Sequence, residues 1–407
     1  MNLADMEARY FFHTYKRLNI EIDKGEGPYL IAKDGRRYLD LFGGIAVNAL
    51  GYNHPAVNEA IMRQVERYIH VSNIFYQDTQ LELAELLLRA SRMAKIFFTN
   101  SGTEAMEGAI KLCRKWGKPQ DKVDIFGLTD SFHGRSLGAL SITGREKYRE
   151  GFEPFLPNTH LLKFNDAAQL ERSVGLKTLA VVLEFIQGEG GINLVSPEYA
   201  EKLSELRSRF GFLVIADEIQ SGIGRTGKMF AFEHLGFHPD IIVVAKAIGG
   251  GLPLGAILGS EKVAETFTPG THGTTFGGNP VACAAGLATV REILENGVME
   301  NAAHVGAHLM QRLEQLQASF PDKISEARGK GLMAGLELSF DGTSLVDRLV
   351  ERGVLLNLTN SKVLRWLPPL NIRKEHINIG VEEVKSALGE MSNVQSMKTF
   401  SPVAVKP

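Results

Sequence analysis

Short apolar runs alternate with longer stretches of helical periodicity along this chain. The runs are Ile96-Phe97-Phe98, Val123-Asp124-Ile125-Phe126, Ala180-Val181-Val182-Leu183, Leu213-Val214-Ile215-Ala216 and Ile241-Ile242-Val243-Val244-Ala245. Compact runs rich in β-branched residues read as strands buried on both faces. Their alternation with helices predicts an α/β fold around a mostly parallel sheet. Helical patterning begins near residue 55, through Ile61 and Val65, and returns at Leu81, Leu83, Leu86 and Leu87. Beyond residue 295 the texture changes. A helical stretch from Asn301 to Phe320 is followed by strand-like pieces at Leu332–Leu338, Val354–Leu358 and Lys362–Trp366, then by a helix near Val381–Met391. The pattern predicts a large α/β domain over 51–294 and a smaller α+β domain over 295–392. Residues 1–50, with short β-like pieces, are expected to pack with the small domain, and 393–407 to form a loosely held tail.

Composition narrows the class. The net charge of −2 over 407 residues predicts no broad basic surface, and so no nucleic-acid partner. The two cysteines, Cys113 and Cys283, lie far apart in helical patterns and read as reduced, which suits a cytoplasmic protein. The acidic N-terminus lacks the apolar core of a signal peptide. No apolar run approaches the ~18 residues of a membrane span.

The candidate chemistry lies at the strand ends, where open α/β sheets bind ligands. Lys246 follows the run Ile241–Ala245 and precedes Gly249-Gly250-Gly251. Burying an amine there disfavours its charged form, which suits a Schiff-base nucleophile. Asp217 and Glu218 end the preceding run, with Gln220 close behind. After Phe98, the turn Ser101-Gly102-Thr103 opens a helix. It could offer free N–H groups to a phosphate, or simply cap the helix. Glu184 and Glu189, around Gln187-Gly188-Glu189-Gly190-Gly191, could be acid/base groups, a metal shelf or turn residues.

Two motifs mislead. Gly222-Ile223-Gly224-Arg225-Thr226-Gly227 satisfies a dinucleotide pattern, but no second strand with an acid follows at the right distance. Extended to Lys228 it approaches a P-loop, yet Met229 stands where Ser or Thr must hold Mg²⁺. His133, His234, His238 and His272 are scattered, and no metal set is expected; His133 reads as structural or as a ring near the site.

An aspartate on one strand end, a lysine on the next and a phosphate-type turn on a third suggest pyridoxal phosphate. That cofactor needs an amine for its aldehyde and an acid beside its pyridine nitrogen. Phe132, in Ser131-Phe132-His133-Gly134-Arg135, is a candidate to stack on its ring.

Five long motifs then appear in order. They are Phe97-Phe98-Thr99-Asn100-Ser101-Gly102-Thr103-Glu104-Ala105, the Ser131–Arg135 segment, Gln187–Gly191, Asp217–Gly227 and His272-Gly273-Thr274-Thr275-Phe276-Gly277-Gly278-Asn279-Pro280. With them the chain resembles the class III (ω-amino acid) aminotransferases of fold type I, from about Phe12 to Met391. The resemblance implies that Lys246 carries the cofactor as a Schiff base and then moves the proton. Asp217 would pair with the pyridine nitrogen, Gln220 would sit near the phenolic oxygen, and Phe132 would stack on the ring. Gly102 and Thr103 would bind the phosphate. Thr275 would reach the phosphate of the neighbouring subunit, which implies a homodimer. Arg365 would bind a substrate α-carboxylate and Arg135 the distal carboxylate of 2-oxoglutarate or glutamate. Glu189 would mask Arg365 while an ω-amino donor reacts, and Glu184 would support Gln220 or the ring oxygen.

Some positions depart from the family pattern: Phe185 stands where proline is usual, and Met106 where Asn is common. Tyr29 matches a tyrosine that family members specific for ornithine use on their substrate. Ile45 matches the members that act on N2-acetylornithine, where a smaller side chain leaves room for an acyl group. The expected reaction moves an ω-amino group from N2-acetylornithine to 2-oxoglutarate, a step of arginine biosynthesis. Ornithine, N-succinylornithine, acetyllysine and 4-aminobutyrate are rival donors.

Overall fold

The computed structural model describes residues 2–398. Its centre is a seven-stranded sheet: β1 (Lys95–Thr99), β2 (Asp124–Leu128), β3 (Thr159–Leu162), β4 (Thr178–Leu183), β5 (Leu213–Asp217), β6 (Ile241–Val244) and β7 (Gly255–Gly259), in the spatial order β1-β7-β6-β5-β4-β2-β3. All neighbours pair parallel except β7, which runs antiparallel to both β6 and β1. The apolar runs are continuous because both faces are covered, and their residues divide by period two. Leu213, Ile215, Ile241 and Val243 join one core with the helix Gly102–Gly117. Val214, Ala216, Ile242 and Val244 join the other, with the helices Pro197–Phe210 and Pro280–Glu295.

Two strands escape the hydrophobic reading. β3 carries Thr159 and His160 on a half-exposed edge, so its pattern is diluted. β7 begins and ends in glycine. A Cβ at Gly255 would lie 2.6 Å from Thr99 Oγ1 and 2.7 Å from the Ser101 carbonyl, so β7 approaches the Ser101 turn too closely for any side chain.

Past the long helix Val298–Ser319, an antiparallel sheet orders Ile324–Lys330, Met333–Leu338, Val363–Trp366 and Asn357–Thr359. Ile324–Lys330 was not expected, being too polar to read as a strand. The expected strand over Val354–Leu358 divides between two sheets: Asn357–Thr359 stays in this one, whereas Val354–Leu355 pairs in parallel with Leu39 and Asp40 of the N-terminal segment. The last helix, Lys374–Lys398, takes in the start of the expected tail, and residues 399–407 lie outside the described residues.

Both departures from the family pattern are absorbed into cores. Met106 is fully buried. Phe185 packs on Phe232 and Phe237, with ring centroids 6.0 and 5.2 Å away.

Candidate active site

A cavity of about 450 Å³ opens at the carboxyl ends of the parallel strands. Strand register assembles it. Asp217 sits opposite Val243, three residues before Lys246, and Ala216 sits opposite Leu183, which precedes Glu184. The three polar groups therefore emerge side by side from β5, β6 and β4. Ser101, Gly102 and Thr103 join them from the end of β1, and Phe132, His133 and Arg135 from the loop after β2. Gln220, Val47, Leu252 and Pro253 also line it.

Lys246 has a positive φ of 52°, a conformation that L-residues rarely adopt and that concentrates at functional sites. Its side chain is partly open to the cavity but deeply surrounded by protein. Burial lowers its pKa, and the nearby Arg365 charge acts the same way against Glu189, Asp217 and Glu184. The neutral, nucleophilic amine is thereby favoured.

Asp217 is 3 % exposed and both its oxygens are engaged. Oδ1 accepts from the Ile219 N–H at 3.1 Å, and Oδ2 lies 2.7 Å from Nδ1 of the fully buried His133. The sequence offers His133 only as a structural group or a ring near the site and not as the partner of Asp217, because a lone histidine carries no spacing signal. Glu184 accepts from the N–H groups of Phe132 and Gly188, each at 3.0 Å. Burial, reinforced by the charge of Asp217, pushes its carboxyl up to about 7.

Of the two readings of the Ser101 turn, capping is the one observed. Ser101 Oγ caps the helix by accepting from the Glu104 N–H at 3.3 Å. The N–H groups of Gly102 and Thr103 meet no acceptor among the described residues, so the helix N-terminus keeps two donors and its positive dipole end for an anion. Gly134 is obligatory beside it: its φ is 135°, and a Cβ there would lie 2.3 Å from Thr103 Oγ1.

Arg365 and Glu189 form a pair of 2.6 Å behind this wall, with the arginine side chain 1 % exposed and the glutamate 20 %. Arg365 also donates to Gln220 Oε1 at 3.1 Å and to Asn357 Oδ1 through Nε at 2.9 Å. Burial opposes ionisation of Glu189, but the charge and hydrogen bond of Arg365 outweigh it and hold the carboxyl below its usual range. Arg135 is exposed at the cavity rim, its guanidinium 3.9 Å from the ring centroid of Tyr148.

Five expected site residues do not line the cavity: Glu189 and Arg365, which reach it through Gln220, and Tyr29, Ile45 and Thr275. Tyr29 lies on its strand against Arg37 and His376. Ile45 is exposed in a turn, Gly43–Ala46, in which all four residues have positive φ. Thr275 is exposed in the loop before Pro280. The Gly222–Gly227 loop, which resembled a nucleotide site, is buried instead. Arg225 donates to the carbonyls of Leu332 and Pro368, and a Cβ at Gly227 would lie 2.7 Å from Ala303 Cβ. Among the described residues, no group of three or more His, Cys, Asp or Glu could hold a metal ion.

Comparison with known proteins agrees with this geometry. Residues 10–388 match the class-III aminotransferase family. The chain is a class III aminotransferase. Among curated relatives, the acetylornithine aminotransferase of Methanocaldococcus jannaschii is 42 % identical over 96 % of this aminotransferase and 98 % of its own length. That of Caldanaerobacter subterraneus is 43 % identical over 95 % and 98 %. Of the solved structures, the ornithine aminotransferase of Toxoplasma gondii ME49 superposes with a TM-score of 0.92 at 30 % identity, covering 96 % of this aminotransferase and 95 % of that chain. An amine transaminase from an uncultivated Pseudomonas species, solved in its PLP-bound form, gives 0.88 at 28 % identity, over 94 % and 98 %. The fold-type I α/β architecture read from the motifs stands. No helix of the described residues is long and apolar enough to cross a membrane.

Proposed function

We propose that this aminotransferase moves the ω-amino group of N2-acetylornithine to 2-oxoglutarate, giving N-acetylglutamate 5-semialdehyde and glutamate, with pyridoxal 5'-phosphate as cofactor. The observation that carries the reading is the Arg365–Glu189 pair next to Lys246. The residues present fit the cofactor. Two free N–H groups at a helix N-terminus suit its phosphate, buried Asp217 suits its pyridine nitrogen, and Phe132 lies at the cavity wall to cover its ring. Pyridoxal phosphate supplies an aldehyde for the amine and a ring that withdraws electrons from the reacting carbon.

The protein's part follows from its geometry. Lys246 Nζ, whose charged form burial disfavours, would anchor the cofactor and later take the proton from the amine-bearing carbon of the donor. Asp217, fixed at both oxygens, holds its negative charge in place. An ω-amino donor has no carboxylate beside its reacting amine, so a bare guanidinium there would be unpaired. Glu189 neutralises Arg365 for that half-reaction, and glutamate or 2-oxoglutarate displaces it in the other, with Arg135 taking the distal carboxylate. Relatives at 42 and 43 % identity named acetylornithine aminotransferase favour the acylated donor; Ile45, outside the cavity lining, bears on it only through the family resemblance.

The unit is a homodimer in this reading, with Thr275 completing the partner's phosphate site. Its support is an exposed apolar patch around that loop. Ile74, Tyr76 and Phe276 are 83, 98 and 59 % exposed, and Asn73 ties their segment to the Thr274 and Gly277 carbonyls. Lys246→Ala tests the whole scheme: it should abolish both turnover and the absorbance of the lysine-bound cofactor. A variant with normal absorbance and rate would refute it.

A further inference from the structure

Arg145 is a buried arginine that the mechanism above leaves unused. It is 8 % exposed, and its hydrogen-bond acceptors are all neutral: the Glu189 carbonyl, Asn360 Oδ1 and, at 3.5 Å, Thr359 Oγ1. No carboxylate pairs with it among the described residues. A guanidinium out of water with no carboxylate in contact is costly, and the Glu189 charge already acts with it from a distance. The residue whose carbonyl it grips owns a carboxylate, now held by Arg365.

The main chain around Glu189 is pinned. Thr359 also donates to the Glu189 carbonyl, Asn360 Nδ2 donates to Gly190 O at 2.7 Å, and Arg328 Nε donates to Gly191 O at 2.9 Å. Three successive carbonyls are therefore fixed, and motion of Glu189 is left to its side chain. That side chain is the more exposed member of its pair.

We propose that Arg145 is the second seat of Glu189: when a dicarboxylate takes Arg365, the Glu189 carboxylate rotates about its own side-chain bonds onto Arg145. The proposal rests on the reading of Glu189 as the mask of Arg365. In each state Glu189 then faces one guanidinium, and a released carboxylate is never left half-buried and alone. Arg145 is a positioning residue, since it acts on substrate only through Glu189.

The test titrates the holoenzyme with glutarate, an unreactive dicarboxylate of the same chain length as 2-oxoglutarate, by calorimetry. Losing a charge-assisted bond to the released carboxylate should raise the glutarate Kd about tenfold in Arg145→Gln. Arg145→Lys, which keeps the charge, should lose no more than about threefold. Both losses should fall below about twofold in a Glu189→Gln background, where no carboxylate needs a seat. Thr359→Val, which loosens the same carbonyl without removing charge, should leave the Kd unchanged. Wild-type affinity in Arg145→Gln overturns the proposal and leaves the aminotransferase reading standing. So does a loss that persists in Glu189→Gln or is matched by Thr359→Val, because either marks a plain structural clamp. Where Arg145→Gln does not fold, Arg145→Met, which also removes the charge, takes its place in both backgrounds under the same criterion. No glutarate binding by the wild type would overturn the dicarboxylate reading itself, and this proposal with it.

Discussion

His133 Nδ1 lies 2.7 Å from Asp217 Oδ2, with both side chains out of water. With Asp217 ionised, Nδ1 must carry the proton of this bond, and Nε2 is buried with no partner among the described residues. The histidine therefore donates from Nδ1 and fixes one carboxylate oxygen while Ile219 fixes the other. His133→Ala should weaken cofactor affinity by about tenfold, the usual scale for a buried bond to a charged group. His133→Asn, which offers a shorter donor, should recover part of it. Cofactor titration followed by absorbance checks this, and unchanged affinity in His133→Ala would show that Asp217 needs no support.

Glu189→Gln keeps the shape of the Arg365 pair and removes its neutralisation. The account expects kcat/KM for N2-acetylornithine to fall by about tenfold, because the donor then reacts beside an unpaired buried guanidinium. The glutamate half-reaction should be unchanged or faster. Separate single-turnover measurements of the two halves give the answer, and equal losses in both would contradict the masking role.

Glu218 is fully buried away from the cavity and accepts from Ser221 Oγ and the N–H groups of Ala231 and Phe232. Burial nevertheless pushes its carboxyl up to about 7 from an ordinary 4.5. Between those values the unfolded chain has lost a proton that the native protein keeps. Stability must then fall as pH rises through that window, by roughly 1.4 kcal/mol per unit for the group, and level off above it. Urea midpoints of the apoenzyme at pH 5 and 8 should differ less in Glu218→Gln than in the wild type. An equal difference in both would exclude Glu218 as a source.

Much of this was legible in the chain itself. β4, β5 and β6 declared themselves because both faces of the sheet are apolar, and their register makes neighbours of Glu184, Asp217 and the residue three before Lys246. β7 stayed hidden because close packing on Thr99 selected glycine over a β-forming side chain. His133 and Arg145 were illegible as participants for another reason. Their importance lies in the contacts to Asp217 Oδ2 and the Glu189 carbonyl, which join segments 84 and 44 residues apart. The Gly222–Gly227 loop misled because glycines serve close backbone packing as readily as phosphate binding.

The central claim is the identity of the donor and acceptor, and one comparison addresses it directly. Glutamate formation from 2-oxoglutarate is followed with N2-acetylornithine, ornithine and N-succinylornithine in turn, and kcat/KM is taken for each. The account predicts the highest value for N2-acetylornithine, and a lower one for it relative to ornithine in Ile45→Tyr. A wide preference for free ornithine in the wild type, or no glutamate from any donor, would contradict it.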